Sequence, residues 1–403
     1  VEQVRRGFAE ARLLDILAPS AERVAPPCIH YETCGGCDLQ HLSAAGQLRA
    51  KRGQVQAALR RIGGLADVAV GEVVPSGSAW GYRFRMDFDW DHDKGPVIGL
   101  HQRGHPERIV PITRCLLAGD VVGDLLPWLA REAATRRLAA FDRRRQRGFL
   151  RRTTVQEGHG TRELLVTLET ARGDPPALLD LARALRRRFP RIVGVVRVEH
   201  ARDGQLVGES ILEGRDHLFE EIEGDRFKIP AGAFFQPNPS ASLPLRRHAV
   251  DALRLSGTEK VLELYCGVGF FSVALARRCA AVTAVEGVRS ACAAARENAS
   301  RAGVDRCRFL AGDVARELPA LLESSWDAVL VDPPRVGLAP TVVQGLARSA
   351  APRLVYVSCD PATMARDLGV LVGGGAYRVA QVTPFDLFPQ TQHVECVAGL
   401  ERT

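Results

Sequence analysis

The sequence predicts an α/β protein in which a doubly wound parallel sheet closes the chain, behind a mixed α+β region and a cysteine-rich loop. Three observations predict it. From about residue 258, short apolar runs alternate with amphipathic stretches, the pattern of strands and their covering helices. The first run leads into Tyr265-Cys266-Gly267-Val268-Gly269, whose paired glycines let backbone turn sharply and approach a ligand at a helix N-terminus. A later run, Leu354-Val355-Tyr356-Val357-Ser358, delivers Cys359 to a strand end, where an open α/β sheet keeps its chemistry.

Taken in order, residues 1 to 19 end in an alternating segment, Ala11 to Leu17, that reads as the last strand of a trimmed unit. A cysteine-rich loop follows, then a helix from Ala44 to Ile62 carrying Arg49, Lys51, Arg52, Arg60 and Arg61. Residues 66 to 230 read as largely β, with strands at Tyr82–Phe88 and Glu163–Leu168 and a helix at Ala177–Phe189. The parallel sheet has strands at 260–264, 282–286, 306–310, 327–331 and 353–358, and two further strands from 376 onward. Composition changes near residues 25, 65 and 230, which suggests units at 1–25, 26–230 and 231–403.

A length of 403 residues with 46% hydrophobic content supports two or three cores. The net charge is +7, with Arg143, Arg144, Arg145, Arg147, Arg151 and Arg152 close together, a local potential suited to a polyphosphate or simply a solvated face. No apolar stretch is long enough for a membrane span and no signal peptide is evident, so a cytoplasmic protein is expected. Ten cysteines then suggest thiols, metal ligands or catalysis rather than disulfides. The chain begins with Val1, which suggests a missing N-terminal piece.

Several residues of the parallel sheet suit a ligand crevice. Glu263, Glu286 and Asp313 fall at successive strand ends, and the third glycine of the dinucleotide fingerprint is absent, a combination that favours S-adenosylmethionine over NAD. Asp332 begins Asp-Pro-Pro-Arg, whose prolines stop the strand and present the carboxylate at the crevice, where it could accept from a nucleobase imide or cap a turn. Glu395 opens an apolar strand, where partial desolvation would raise its pKa toward that of a useful base. Cys359 is either a nucleophile or a small core residue. Cys28, Cys34 and Cys37 form C-x5-C-x2-C with Cys115 far downstream; spacing leaves zinc, an iron–sulfur cluster and unligated thiols open.

Cys359 in Ser-Cys-Asp-Pro, Glu395 in His-Val-Glu, Asp332 in Asp-Pro-Pro-Arg and Phe234-Phe235-Gln236-Pro237-Asn238 together resemble the uracil-5 RNA methyltransferases, over nearly the whole chain. The resemblance implies a C-terminal class I, Rossmann-like methyltransferase domain. It implies Cys359 as nucleophile toward uracil C6 and Glu395 as the base that removes the C5 proton. Gln236, Tyr265, Glu286 and Asp332 would bind donor or substrate, with Asp313 a further donor contact. Phe270 departs from the small polar residue common in relatives after Gly-x-Gly.

The ribosomal-RNA branch of that family carries a 4Fe-4S cluster on the same cysteine spacing, so the resemblance implies a cluster on Cys28, Cys34, Cys37 and Cys115. It also implies 23S ribosomal RNA as substrate, with transfer RNA the alternative. A noncatalytic RNA-binding or redox-sensing protein is the reading from another class. Residues 1–25 would be the remnant of an OB-type TRAM barrel, 26–230 a central RNA-binding region and 231–403 the catalytic domain, in a monomeric protein. Aromatic residues are only 6%, so RNA is expected to be held by phosphate contacts and one extruded base.

Overall fold

The computed structural model describes residues 1–403 apart from 2, 6, 7, 12, 93, 94, 143 and 144. At the N-terminus, β1 (Gln3–Arg5) and β2 (Phe8–Glu10) form an antiparallel pair. The strand expected over Ala11 to Leu17 is not present: residues 13–16 carry no strand, Leu13, Leu14 and Leu17 lie in water, and residue 12 is outside the described residues. Alternation alone cannot make a strand when no neighbour takes its backbone hydrogen bonds.

Helix α1 (Ala44–Arg61) starts at Ser43, whose side chain accepts from the Gly46 amide at 3.1 Å. Its buried Val55, Ala58 and Leu59 join the core of the C-terminal sheet; truncating Leu59 to Ala would cost about 2–5 kcal/mol. The following segment runs along that sheet's edge, with bridges Val70 to Val382 and Val74 to Phe385.

A central seven-stranded sheet comes next: β3 (Arg85–His92), β4 (Pro96–Gln102), β5 (His105–Pro111), β6 (Leu150–Glu157), β7 (Leu164–Ala171), β8 (Ile192–His200) and β9 (Leu206–Gly214), in the order β5-β4-β3-β6-β7-β8-β9. Only β7 and β8 are parallel, and the crossover between them carries a helix, as a parallel pair requires. The helices α2 (Val121–Thr135) and α3 (Pro176–Arg188) bury Leu125, Leu126, Leu129, Leu178, Leu181 and Leu185 in this sheet's core. The expected Tyr82–Phe88 strand begins at Arg85, because the Phe84 amide donates to Pro237 O (2.9 Å) and ties this sheet to the C-terminal half.

The described members of the arginine run do not form one open patch. Arg143 and Arg144 lie outside the described residues. Arg152 pairs with buried Asp89 (2.6 Å), and Arg151 donates to Ala201 O (2.9 Å) while stacking on Phe141. Arg145 stays in water, and Arg147 lines a groove with Arg172 and Arg202.

A hairpin, β10 (His217–Ile222) and β11 (Asp225–Pro230), leads into the C-terminal half. There α4 (Pro239–Ala252), β12 (Lys260–Leu264), α5 (Phe270–Ala276), β13 (Ala281–Glu286), α6 (Arg289–Arg301), β14 (Cys307–Ala311), α7 (Val314–Leu321), β15 (Ala328–Val331), α8 (Pro340–Arg348), β16 (Arg353–Ser358), α9 (Pro361–Gly373), β17 (Tyr377–Phe385) and β18 (Glu395–Arg402) follow. The sheet order is β14-β13-β12-β15-β16-β18-β17, with β18 antiparallel to both neighbours. Strand order reverses at β12, between β13 and β15, which opens the ligand crevice of a Rossmann-like sheet. Two cores flank this sheet, one around Phe235, Phe270 and Phe271 and the other around Tyr356, Met364 and Leu368. Among the described residues no helix is long and apolar enough to cross a membrane.

Candidate active site

Sheet register brings the two ends of the expected chemistry together. In the antiparallel ladder of β16 and β18, Ser358 faces Cys396, so one step further places Cys359 opposite Glu395. On its other side Glu395 is paired with Phe385. The residues around Cys359 are occupied locally. The Ser358 hydroxyl accepts from the Asp360 amide (3.1 Å), Asp360 caps α9 by accepting from Ala362 N and Thr363 N (2.9 and 3.0 Å), and Pro361 fills the first turn. Cys359 is the one member of that motif left half-buried with its side chain uncommitted to the turn.

Asp332 leaves the end of β15; its amide donates to Leu264 O (3.3 Å) and its carboxylate accepts from Gln236 Nε2 (3.4 Å). Burial pushes Asp332 up to about 7, and burial with the Asp332 charge holds Glu395 well above the ordinary carboxylate range. The Cys359 thiol is pushed up to about 12 by burial and by the Glu395 and Asp332 carboxylates, against which Arg335 acts in the opposite direction. Burial thus works against ionisation of both the nucleophile and the base candidates.

On the donor side, Glu286 ends β13 and accepts from Gly267 N (2.8 Å) and Val288 N (2.7 Å), so this carboxylate shapes the glycine turn. Tyr265 sits at φ +65°, a conformation that costs a non-glycine residue of order 1–3 kcal/mol and clusters at functional sites. Gly267 also has positive φ, and a Cβ there would meet open space, which is room for a ligand against the backbone. Asp313 caps α7 by accepting from Arg316 N (3.2 Å), and burial first, then the Asp313 charge, raises the Tyr265 phenol. Glu263 differs from its sequence expectation. It lies inside β12, fully buried, with Ser272 Oγ donating to Oε2 at 2.5 Å and Oε1 without a hydrogen-bond partner among the described residues. Burial, then the Asp332 and Glu286 charges, push it up to about 8. The hydrogen bond from Ser272 ties β12 to α5.

The structure gathers the four expected cysteines elsewhere. Cys28, Cys34, Cys37 and Cys115 line one cavity of about 240 Å³ with Gln40, Arg83 and Leu117. The loop packs closely at its glycine: a Cβ on Gly35 would lie 3.1 Å from His101 O, the atom that accepts from Gly35 N at 2.9 Å. Arg103 ties down the carbonyls of Tyr31, Cys34 and Cys37. Burial raises the thiols of Cys34, Cys37 and Cys115. Among the described residues no three His, Cys, Asp or Glu side chains converge on a single point as ligands of one ion would.

A sequence profile of the tRNA (uracil-5-)-methyltransferase family matches residues 208–403. A protein described as an uncharacterised RNA methyltransferase of Gloeobacter violaceus is 38% identical over 409 residues, covering 99% of this chain and 88% of its own. One of Halalkalibacterium halodurans, described in the same words, is 34% identical and covers 100% and 88%. The chain belongs to the RNA uracil-5-methyltransferase family. Among solved structures, the Pyrococcus abyssi tRNA (uracil-54, C5)-methyltransferase in complex with S-adenosyl-L-homocysteine superposes with a TM-score of 0.74 at 29% identity, covering 96% of this chain and 88% of that one. The protein is therefore an S-adenosylmethionine-dependent RNA methyltransferase with a Rossmann-like catalytic sheet.

In this methyltransferase the departure at Phe270 has a packing reason. Phe270 is 5% exposed, meets Phe235 edge-on at 5.7 Å and lies under Arg246, whose Nη1 donates to Phe270 O. It fixes the segment that carries Gln236. Asn238 does the same from the other side, accepting from Ala241 N (3.1 Å) and donating to Ser76 Oγ (3.0 Å). Sequence reasoning gave no role to Gln47 and Lys51 on α1, although a lysine on the apolar stripe of a helix is a signal of a buried partner. Phe234, two residues before Gln236, is left 66% exposed, an unusual state for a phenylalanine beside a crevice-facing segment.

Proposed function

We propose that this methyltransferase modifies C5 of a uridine in 23S ribosomal RNA through a covalent adduct, with Cys359 as nucleophile and Glu395 as base. The observation that carries the reading is the register that faces Cys359 with Glu395 at the crevice edge beside Asp332. Cys359, as thiolate, adds to C6 of the extruded base and moves the ring's electron pair toward O4, which makes C5 nucleophilic. Asp332 accepts from the imide N–H, and Gln236 holds Asp332 in place. When bound, S-adenosylmethionine would supply a positive charge and the electrophilic methyl, which C5 takes up as the S–CH3 bond breaks with its electron pair left on sulfur, giving S-adenosylhomocysteine. Glu395 then takes the C5 proton, and the released electron pair re-forms the C5–C6 double bond and expels the Cys359 thiolate. Burial favours the neutral forms of both groups, so positive charge arriving in the crevice shifts both toward the ionised forms that the reaction needs. Gly267, Tyr265, Glu286 and Asp313 would hold the donor, and exposed Phe234 suits stacking against a nucleobase.

A 4Fe-4S cluster held by Cys28, Cys34, Cys37 and Cys115 is part of this reading; what supports it is that the four cysteines line one cavity, whose wall also carries His30, Arg83 and Asp87. Methyl transfer needs no electron, so the group would shape the loop rather than react. Residues 1–25, 26–230 and 231–403 would act as barrel remnant, RNA-binding region and catalytic domain.

Transfer RNA is the second reading, favoured by the likeness to the Pyrococcus abyssi enzyme. The test is an anaerobic assay with tritiated S-adenosylmethionine and RNA from cells lacking this protein, followed by nucleoside mapping. Label as 5-methyluridine in 23S RNA supports the first reading. Label confined to transfer RNA replaces the substrate.

A further inference from the structure

The loop that leads from β17 into Glu395 is held from outside the catalytic sheet. Lys51 Nζ lies 2.5 Å from Asp386 Oδ1 and 2.9 Å from Phe388 O. Gln47 makes a two-way contact with Gln390: its Nε2 donates to Gln390 Oε1 (3.0 Å) and its Oε1 accepts from Gln390 N (3.0 Å). Both Asp38 N and Leu39 N donate to Gln390 O at 2.9 Å. Gln390 therefore has its amide, its carbonyl and its side-chain oxygen taken by residues 38 to 47, while its backbone is in the left-handed region at φ +71°. A glutamine keeps that conformation only when its surroundings over-determine it.

The two α1 residues are an expensive way to pack a helix. Gln47 and Lys51 are 3% and 1% exposed, and they stand one turn apart on the face turned to the loop. Burying an ammonium costs several kcal/mol unless a partner is in place, and desolvation accordingly lowers the Lys51 pKa while Asp386 opposes it. Apolar residues would pack this face without that penalty, so what the polar pair adds is a single fixed geometry for the loop. That geometry matters at one place, a short way beyond Gln390 in chain order: the start of β18, where Glu395 sits opposite Cys359.

We propose that Gln47 and Lys51 are positioning residues for the catalytic base: through Asp386 and Gln390 they aim Glu395 at the C5 proton. The inference rests on the reading of Glu395 as base. It makes proton removal, rather than RNA or donor binding, the step that the N-terminal helix controls. It also joins the cysteine loop to the chemistry, since Asp38 directly follows Cys37 and its amide donates to the same Gln390 carbonyl.

The test compares Gln47→Leu, Lys51→Met and Glu395→Gln with the parent enzyme in single-turnover reactions, reading protein–RNA adduct on denaturing gels alongside kcat and KM. Misaiming the base stalls the reaction after C5 methylation, so adduct accumulates in both helix variants. The expected kcat loss is about tenfold to a hundredfold, with KM for RNA changed by no more than about twofold. Hydrogen exchange of the peptide spanning residues 386–394 should rise in both. Thermal melts identify a misfolded variant; Gln47→Leu buries no new charge and carries the test alone if Lys51→Met does not fold. Adduct in Glu395→Gln but none in folded, slowed helix variants overturns the positioning role. No adduct in Glu395→Gln overturns the base assignment itself.

Discussion

Replacing Glu263 by Gln should stabilise the protein at alkaline pH and leave it nearly unchanged in acid. Glu263 is fully buried, receives one hydrogen bond from Ser272 and has its second oxygen unpartnered among the described residues. Its carboxyl rises from 4.5 to about 8 on folding, with burial the first cause. Between those two values the folded chain holds a proton that the unfolded chain has released, so stability is full below the unfolded pKa and is lost as pH rises through the folded one. At 1.36 kcal/mol per unit, the whole rise corresponds to roughly 5 kcal/mol as an upper limit. A glutamine in that place would carry no such proton, and its carbonyl can still accept from Ser272. The assay is urea unfolding of parent and Glu263→Gln at intervals from pH 5 to 9, following tryptophan fluorescence. The difference between them should widen with pH in favour of the variant and level off once the parent carboxyl has ionised. Parallel curves across this range would refute the assignment of a protonated, desolvated Glu263.

Cys359→Ala should abolish both turnover and adduct while leaving donor binding by calorimetry intact, because the glycine turn is shaped by Glu286 and the backbone of Tyr265 and Gly267. Phe270→Thr should lower stability by about 3 kcal/mol, the order expected for emptying a buried aromatic site, and should not tighten donor binding; a gain in donor affinity would show that the position faces the crevice. Cys115→Ser, purified without oxygen, should lose the visible absorption of a reconstituted cluster and raise hydrogen exchange in residues 28–42, whereas an unchanged spectrum would remove Cys115 from the ligand set.

Much of the catalytic half was legible in the linear sequence. The strands at 260–264 and 353–358 reappear with the same bounds, since buried parallel strands are short, continuous apolar runs punctuated by turns. The Ser-Cys-Asp-Pro motif could be read for the same reason: three of its four residues perform local tasks of turn, cap and helix start that depend on neighbours in the chain. The strand expected at Ala11 to Leu17 misled because alternation is a local property and pairing is not. Glu263 misled similarly: its place near a strand end was visible, but its depth under α5 depends on Ser272, which folds back over it.

The sequence by itself determined the fold class, the glycine turn and the residues from which the chemistry is drawn, because periodicity, turn geometry and capping are written over a few consecutive positions. Tertiary structure alone decided which of those residues meet. The antiparallel register of β18, a strand inserted between β16 and β17 out of chain order, pairs Ser358 with Cys396 and so brings Cys359 beside Glu395. Lys51 reaches Asp386 across 335 positions of chain. Encounters over such separations are fixed by sheet register and by what must be paired once water is excluded, and no local pattern records either.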